Sequence, residues 1–110
     1  MKSIRLLTLA ALLLVPAHAS AQQGLKLTLQ NGRASLDARS VPLTEILSEW
    51  ARVGGLRIVN GDKVSGAPVS MQLVDMPERQ ALDIMLRNVS GYMLGVRAPG
   101  SKGASSFDRI

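Results

Sequence analysis

Cysteine is absent from this chain, and histidine is nearly so, with His18 alone among 110 residues. Without cysteine there is no disulfide framework, so a small fold here must rest on apolar packing. For an exported domain, that absence fits the bacterial periplasm better than the extracellular milieu. Basic residues do not cluster either: the formal charge is +5, yet no Lys/Arg run occurs. A nucleic-acid footprint needs basic residues gathered on one face, so no nucleic-acid partner is expected.

What is present begins with a targeting segment. Lys2 and Arg5 form a positive start, Leu6 to Val15 an apolar run, and Ala19-Ser20-Ala21 a small-residue cleavage signal. This is the pattern of a secretory signal peptide, residues 1–21, with an apolar core too short to span a bilayer. Cleavage after Ala19 or Ala21 removes His18. The processed chain then has neither His nor Cys, which excludes most metal sites, Ser-His and Cys-His nucleophile pairs and the usual neutral-pH proton shuttle. Removing Lys2 and Arg5 from the 13 basic residues leaves 11 against 8 acidic ones, a net charge of +3. No cofactor is implied, and no convergent acid/base pair marks an enzyme.

Residues 25–30, LKLTLQ, alternate strictly, and Asn31-Gly32 follows before RASLDA (33–38) resumes the alternation. Asn-Gly tolerates positive φ at both turn positions, so the stretch predicts an N-terminal β-hairpin. Leu43, Ile46, Leu47, Trp50 and Ala51 then recur at helical spacing. They predict an amphipathic helix with Ser40 as its cap, Pro42 in its first turn and Gly54-Gly55 as its stop. LRIVN (56–60) reads as a short buried strand and GDKVSGAP (61–68) as a loop.

The pattern then repeats. VSMQLVD (69–75) alternates, Asp75 and Glu78 have capping-box spacing, and Ala81, Leu82, Met85, Leu86 and Val89 form a second helical stripe. Ser90-Gly91 ends it, and YMLGV (92–96) reads as a strand. A shift of 35 residues sets Leu36 on Met71, Val41-Pro42 on Met76-Pro77, Leu47 on Leu82 and Trp50 on Met85. After a one-residue slip, Gly55 meets Gly91 and Ile58 meets Leu94. This is an internal duplication of a strand–helix–strand unit. Two copies predict one α+β domain of duplicated βαβ units, two helices sandwiched between two small β-sheets, with the hairpin in front. The expected core is Leu36, Leu43, Ile46, Leu47, Trp50, Ile58, Met71, Leu73, Leu82, Met85, Leu86 and Leu94. Trp is enriched at binding hot spots, but the periodicity of Trp50 assigns it to the core.

Residues 36–96 resemble the secretin/TonB short N-terminal domain. The resemblance is carried by Val41-Pro42-Leu43, Ile46-Leu47, Ala51, Gly54-Gly55-Leu56-Arg57-Ile58-Val59, Val69-Ser70-Met71, Met76-Pro77, Ala81-Leu82, Leu86 and Gly91-Tyr92. It implies a periplasmic domain, residues 22–97, that works by contacting other envelope proteins: secretion-machine, TonB-system or regulator components. The membrane is then reached only indirectly, through a partner at the outer membrane. That family acts through surfaces rather than catalytic groups, so it implies no active site. No secretin repeat, plug or barrel follows Ile110, so neither a pore nor a transporter is expected of this chain.

The candidate partner-binding residues are the charged helix faces: Glu45, Glu49 and Arg52 on the first, and Arg79, Asp83 and Arg87 on the second. Their plainer reading is two solvated faces. A backbone edge is the other candidate surface, offered by VSMQLV or by the terminal FDRI (107–110). Residues 98–106 are expected to be a flexible segment, followed by a final strand completing a sheet or a truncated one. The alternative function is a standalone periplasmic ligand- or cell-wall-binding domain that uses a groove between its sheets.

Overall fold

A computed structural model describes residues 24–110; the proposed signal peptide lies outside them. Two strands open the fold, β1 (Leu25–Gln30) and β2 (Arg33–Val41), followed by helix α1 (Leu43–Gly54). After a 3-10 turn at Gly61–Lys63 come β3 (Val69–Pro77) and helix α2 (Glu78–Met85). Two short strands, β4 (Gly95–Val96) and β5 (Phe107–Arg109), complete it. The sheets are antiparallel, one ordered β1-β2-β3 and the other β4-β5. This is the expected α+β architecture of two helices, two small sheets and an N-terminal hairpin.

The hairpin forms where Asn-Gly placed it. Asn31 and Gly32 have φ of 54° and 75°, and Gln30 pairs with Arg33 across the turn. Leu27, Ala34, Leu36 and Ala38 are buried on its inner face, with Ile46, Leu47 and Trp50 of α1, Ala81, Leu82 and Met85 of α2, and Phe107 of β5. One core therefore joins both sheets and both helices. Gly55 ends α1 in the left-handed region at φ 68°, donating its N–H to the Ala51 carbonyl.

The duplication is visible in the β2–β3 ladder. Asp37 pairs with Gln72, Ala38 with Met71, Leu36 with Leu73, Val41 with Val69, and Ala34 with Met76. Moving β2 residues forward and β3 residues back by 35 turns Ala38–Met71 into Leu36–Leu73 and Val41–Val69 into Ala34–Met76. The Asp37–Gln72 pair maps onto itself. The two register shifts also exchange, and each contains a residue at positive φ, Ser40 at 54° and Asp75 at 45°. Ser40 donates its N–H to Ser70 Oγ and Asp75 to Ser35 Oγ, both at 2.8 Å. These bonds also map onto one another, so a local pseudo-twofold axis passes through Asp37 and Gln72.

Several local expectations are corrected. Ser40 does not cap α1, because β2 continues through Val41 and Ser40 sits in its bulge; Pro42 takes the cap position without a side-chain bond. Asp75 and Glu78 form no capping box, since Pro77 precedes α2 and its cap position carries no side-chain bond. Helix α2 stops at Met85 rather than near Val89, the chain continuing as a turn over 86–88. The strand expected at 56–60 reduces to one parallel bridge between Arg57 and Arg109, and only Gly95–Val96 of 92–96 is strand. Among the expected core residues, Leu43, Ile58, Met71 and Leu94 are half-buried at its margin rather than enclosed.

Candidate functional site

Five of the six charged candidates lie on the two helices, and the two groups do not converge. On α1, Arg52 grips Glu49 through Nε–Oε1 at 3.0 Å and Nη2–Oε2 at 2.5 Å. That bond holds the Glu49 carboxyl below its ordinary range and raises the Arg52 guanidinium above its own. Glu45 is exposed beside them. From α2, the Arg79 guanidinium stands 5.5 Å from the Phe107 ring centroid, and Asp83 accepts a hydrogen bond from the Tyr92 hydroxyl. Arg87 falls in the turn after α2 rather than on the helix. Among the described residues, no hydrogen bond or salt bridge joins the α1 group to the α2 group.

The two backbone-edge candidates fare differently. β5 is covered on both sides: β4 pairs with it antiparallel, and Arg57 bridges Arg109 in parallel. Arg57 donates to Asp108 O, Ile110 to Arg57 O and Val59 to Ile110 O, at 2.8–3.1 Å. FDRI is therefore an internal strand and not an open edge. β3 lies at the border of its sheet, and among the described residues its outer side has no strand partner. VSMQLV carries no charge and no proline, the features that normally protect an edge. Val74 projects from it at 68% exposure.

An open cleft of about 710 Å³ lies elsewhere, between residues 58–65 and 86–95. Ile58, Val64, Leu86, Val89, Leu94 and Ile110 give it an apolar lining. None of the three strands of the larger sheet contributes to it, so it is not a groove between the two sheets. Met93, 84% exposed, stands on one wall.

Two polar centres escaped the sequence reading, and both are built inward. Glu78, 2% exposed, accepts from Trp50 Nε1 at 2.9 Å, from the Ser106 N–H at 2.7 Å and from the Ser105 hydroxyl. The signal was its place on the apolar stripe, three residues before Ala81 and four before Leu82. Arg97 gathers the segment 98–106, which was expected to be flexible. Its guanidinium donates to the carbonyls of Lys102, Ser105 and Phe107 and to those of Gly54 and Gly55, at 2.8–3.1 Å. A Cβ at Gly103 would lie 2.4 Å from that guanidinium, so a side chain there would have to displace Arg97 from its carbonyls.

Among the described residues, no three His, Cys, Asp or Glu side chains gather as a metal site, and no helix is long and apolar enough to cross a membrane. No protein-family profile, curated protein or solved structure matches the chain.

Proposed function

We propose that this chain is an exported protein–protein interaction module of the bacterial envelope, of the kind implied by its resemblance to the secretin/TonB short N-terminal domain. The observation that carries the reading is the duplicated two-helix, two-sheet fold, in which the residues of the resemblance occupy equivalent turning points. Pro42 and Pro77 precede the two helices, Gly54-Gly55 closes the first, and Leu47 and Leu82 are their buried counterparts. The surfaces on offer are the bare β3 edge and the two charged helix faces. Partners of the proposed module are secretion-machine, TonB-system or regulator components.

The cleft favours a second reading, a ligand- or cell-wall-binding domain, because its volume falls in the range of small-molecule sites. Its position away from the larger sheet leaves both readings able to coexist on one molecule.

Expression of the full chain in a Gram-negative host tests the proposal. The expected result is a periplasmic protein shortened at Ala19 or Ala21 by mass, running in native gels as a complex larger than the monomer. An unprocessed cytosolic monomer contradicts export and partnership together. A processed monomer whose cleft residues respond to soluble cell-wall fragments supports the second reading instead.

A further inference from the structure

The pseudo-twofold axis relates β2 to β3, yet only β2 has a strand on its other side. β1 pairs with β2 antiparallel, setting Leu25 opposite Ala38, Leu27 opposite Leu36 and Leu29 opposite Ala34. The 35-residue shift carries those three β2 positions onto Leu73, Met71 and Val69. The outer edge of β3 is thus the internal equivalent of the edge that β1 fills, and it stands empty among the described residues.

Burial records the missing strand. Ala34 and Leu36, beside β1, are each 1% exposed, whereas their equivalents Val69 and Met71 are only half-buried. The open stretch Val69–Val74 has six residues, the length of β1. Alternating side chains put Val69, Met71 and Leu73 on the core side and Ser70, Gln72 and Val74 outside, and all three outer residues are exposed.

From these equivalences we propose that the β3 edge binds an extended segment of a partner protein. The segment runs antiparallel over residues 69–74, with apolar side chains opposite Val69, Met71 and Leu73 and polar ones between. Backbone pairing holds the segment, and the alternation fixes its register, because a one-residue slip would turn its apolar residues to solvent. Its chemistry is that of LKLTLQ, the strand that solves the same problem on β2. The inference deepens the interaction-module reading by naming a surface and the character of what it takes.

The probe is the chain's own residues 24–31 as a capped synthetic peptide, GLKLTLQN, titrated into purified protein. The expected result is saturable binding with amide chemical-shift changes concentrated at 69–74. N-methylating every second peptide residue should cost at least tenfold in affinity for one alternation and little for the other, since only one set of N–H groups faces β3. Cysteine placed at Gln72 should cross-link to a cysteine-bearing peptide, while cysteine at Thr28 on β1 should not. No binding at millimolar peptide, shifts confined to residues 33–38 or to the 58–65 and 86–95 cleft, or equal losses from both methylation patterns would overturn the proposal. A stable homodimer through β3 without peptide would overturn it too, by making a second copy the occupant. Failure here, alongside envelope complexes in cells, rejects this edge and leaves the module reading standing; peptide binding without such complexes rejects the module reading alone.

Discussion

Trp50 is fully enclosed, and its indole N–H still needs an acceptor in that apolar setting. Glu78 supplies it, and the same carboxylate receives Ser105 and Ser106 from the loop before β5. One buried side chain thus ties α1, α2 and the final strand together. The duplication sharpens the point, because Glu78 stands where the first unit has Leu43. Glu78→Leu therefore restores the apolar equivalent but strands three donors. Leaving a buried donor unpaired costs about 1–3 kcal/mol, so the substitution should destabilise the protein by roughly 3 kcal/mol in urea unfolding. A midpoint within experimental error of the parent would show that the carboxylate holds nothing together. The burial of Trp50 was legible from its helical stripe. The burial of Glu78 was not, since the Asp75–Glu78 spacing also satisfies a capping box, and spacing cannot decide between two uses of one carboxylate.

Elements with strong local rules were the most legible. Asn31-Gly32 could scarcely be anything but a hairpin turn, and α1 carries its stripe and glycine stop within a dozen residues. β4 and β5 were hard to read because two or three residues cannot display alternation. β5 also takes a partner far away in the chain, through the bridge from Arg57 to Arg109. The bulges at Ser40 and Asp75 defeated the expected caps: each serves the sheet rather than the following helix. Beyond α2, Tyr92 donates to Asp83 and so fastens the 86–95 wall of the cleft to that helix. The bond, reinforced by desolvation and the Asp83 charge against an opposing Arg79, raises the phenol above its ordinary 10.0. A raised folded-state value means this contribution is complete below the unfolded value of about 10 and lost as pH climbs through the folded one. Tyr92 is the chain's one tyrosine, so its phenolate absorbance can be titrated directly. The midpoint should lie above that of a free tyrosine and fall towards it in Asp83→Asn; identical midpoints in the two proteins would contradict the latch.

At the scale of the whole molecule, two similar units differ in the strands at their edges. β1 covers the edge of the first unit, while β5 is shared by both, pairing with Arg57 after α1 and with β4 after α2. Among the described residues the sheet keeps two borders, the outer sides of β1 and β3, and only β3 lacks the strand that its equivalent in the other unit has. The repeat itself was legible as a 35-residue echo, but the asymmetry was not, because nothing local in LKLTLQ or FDRI says which edge each will fill. The proposed interaction module needs a surface that its own chain leaves open, and of the two sheet borders VSMQLV is the one without a charged residue. The most direct measurement is site-specific photo-cross-linking in living cells, with a photoreactive residue placed in turn at Ser70, Gln72 and Val74 on β3 and at Thr28 on β1. The account predicts a discrete adduct with another envelope protein from the β3 positions and none from Thr28. Adducts from Thr28 alone, or none from any position in a correctly exported protein, would contradict it.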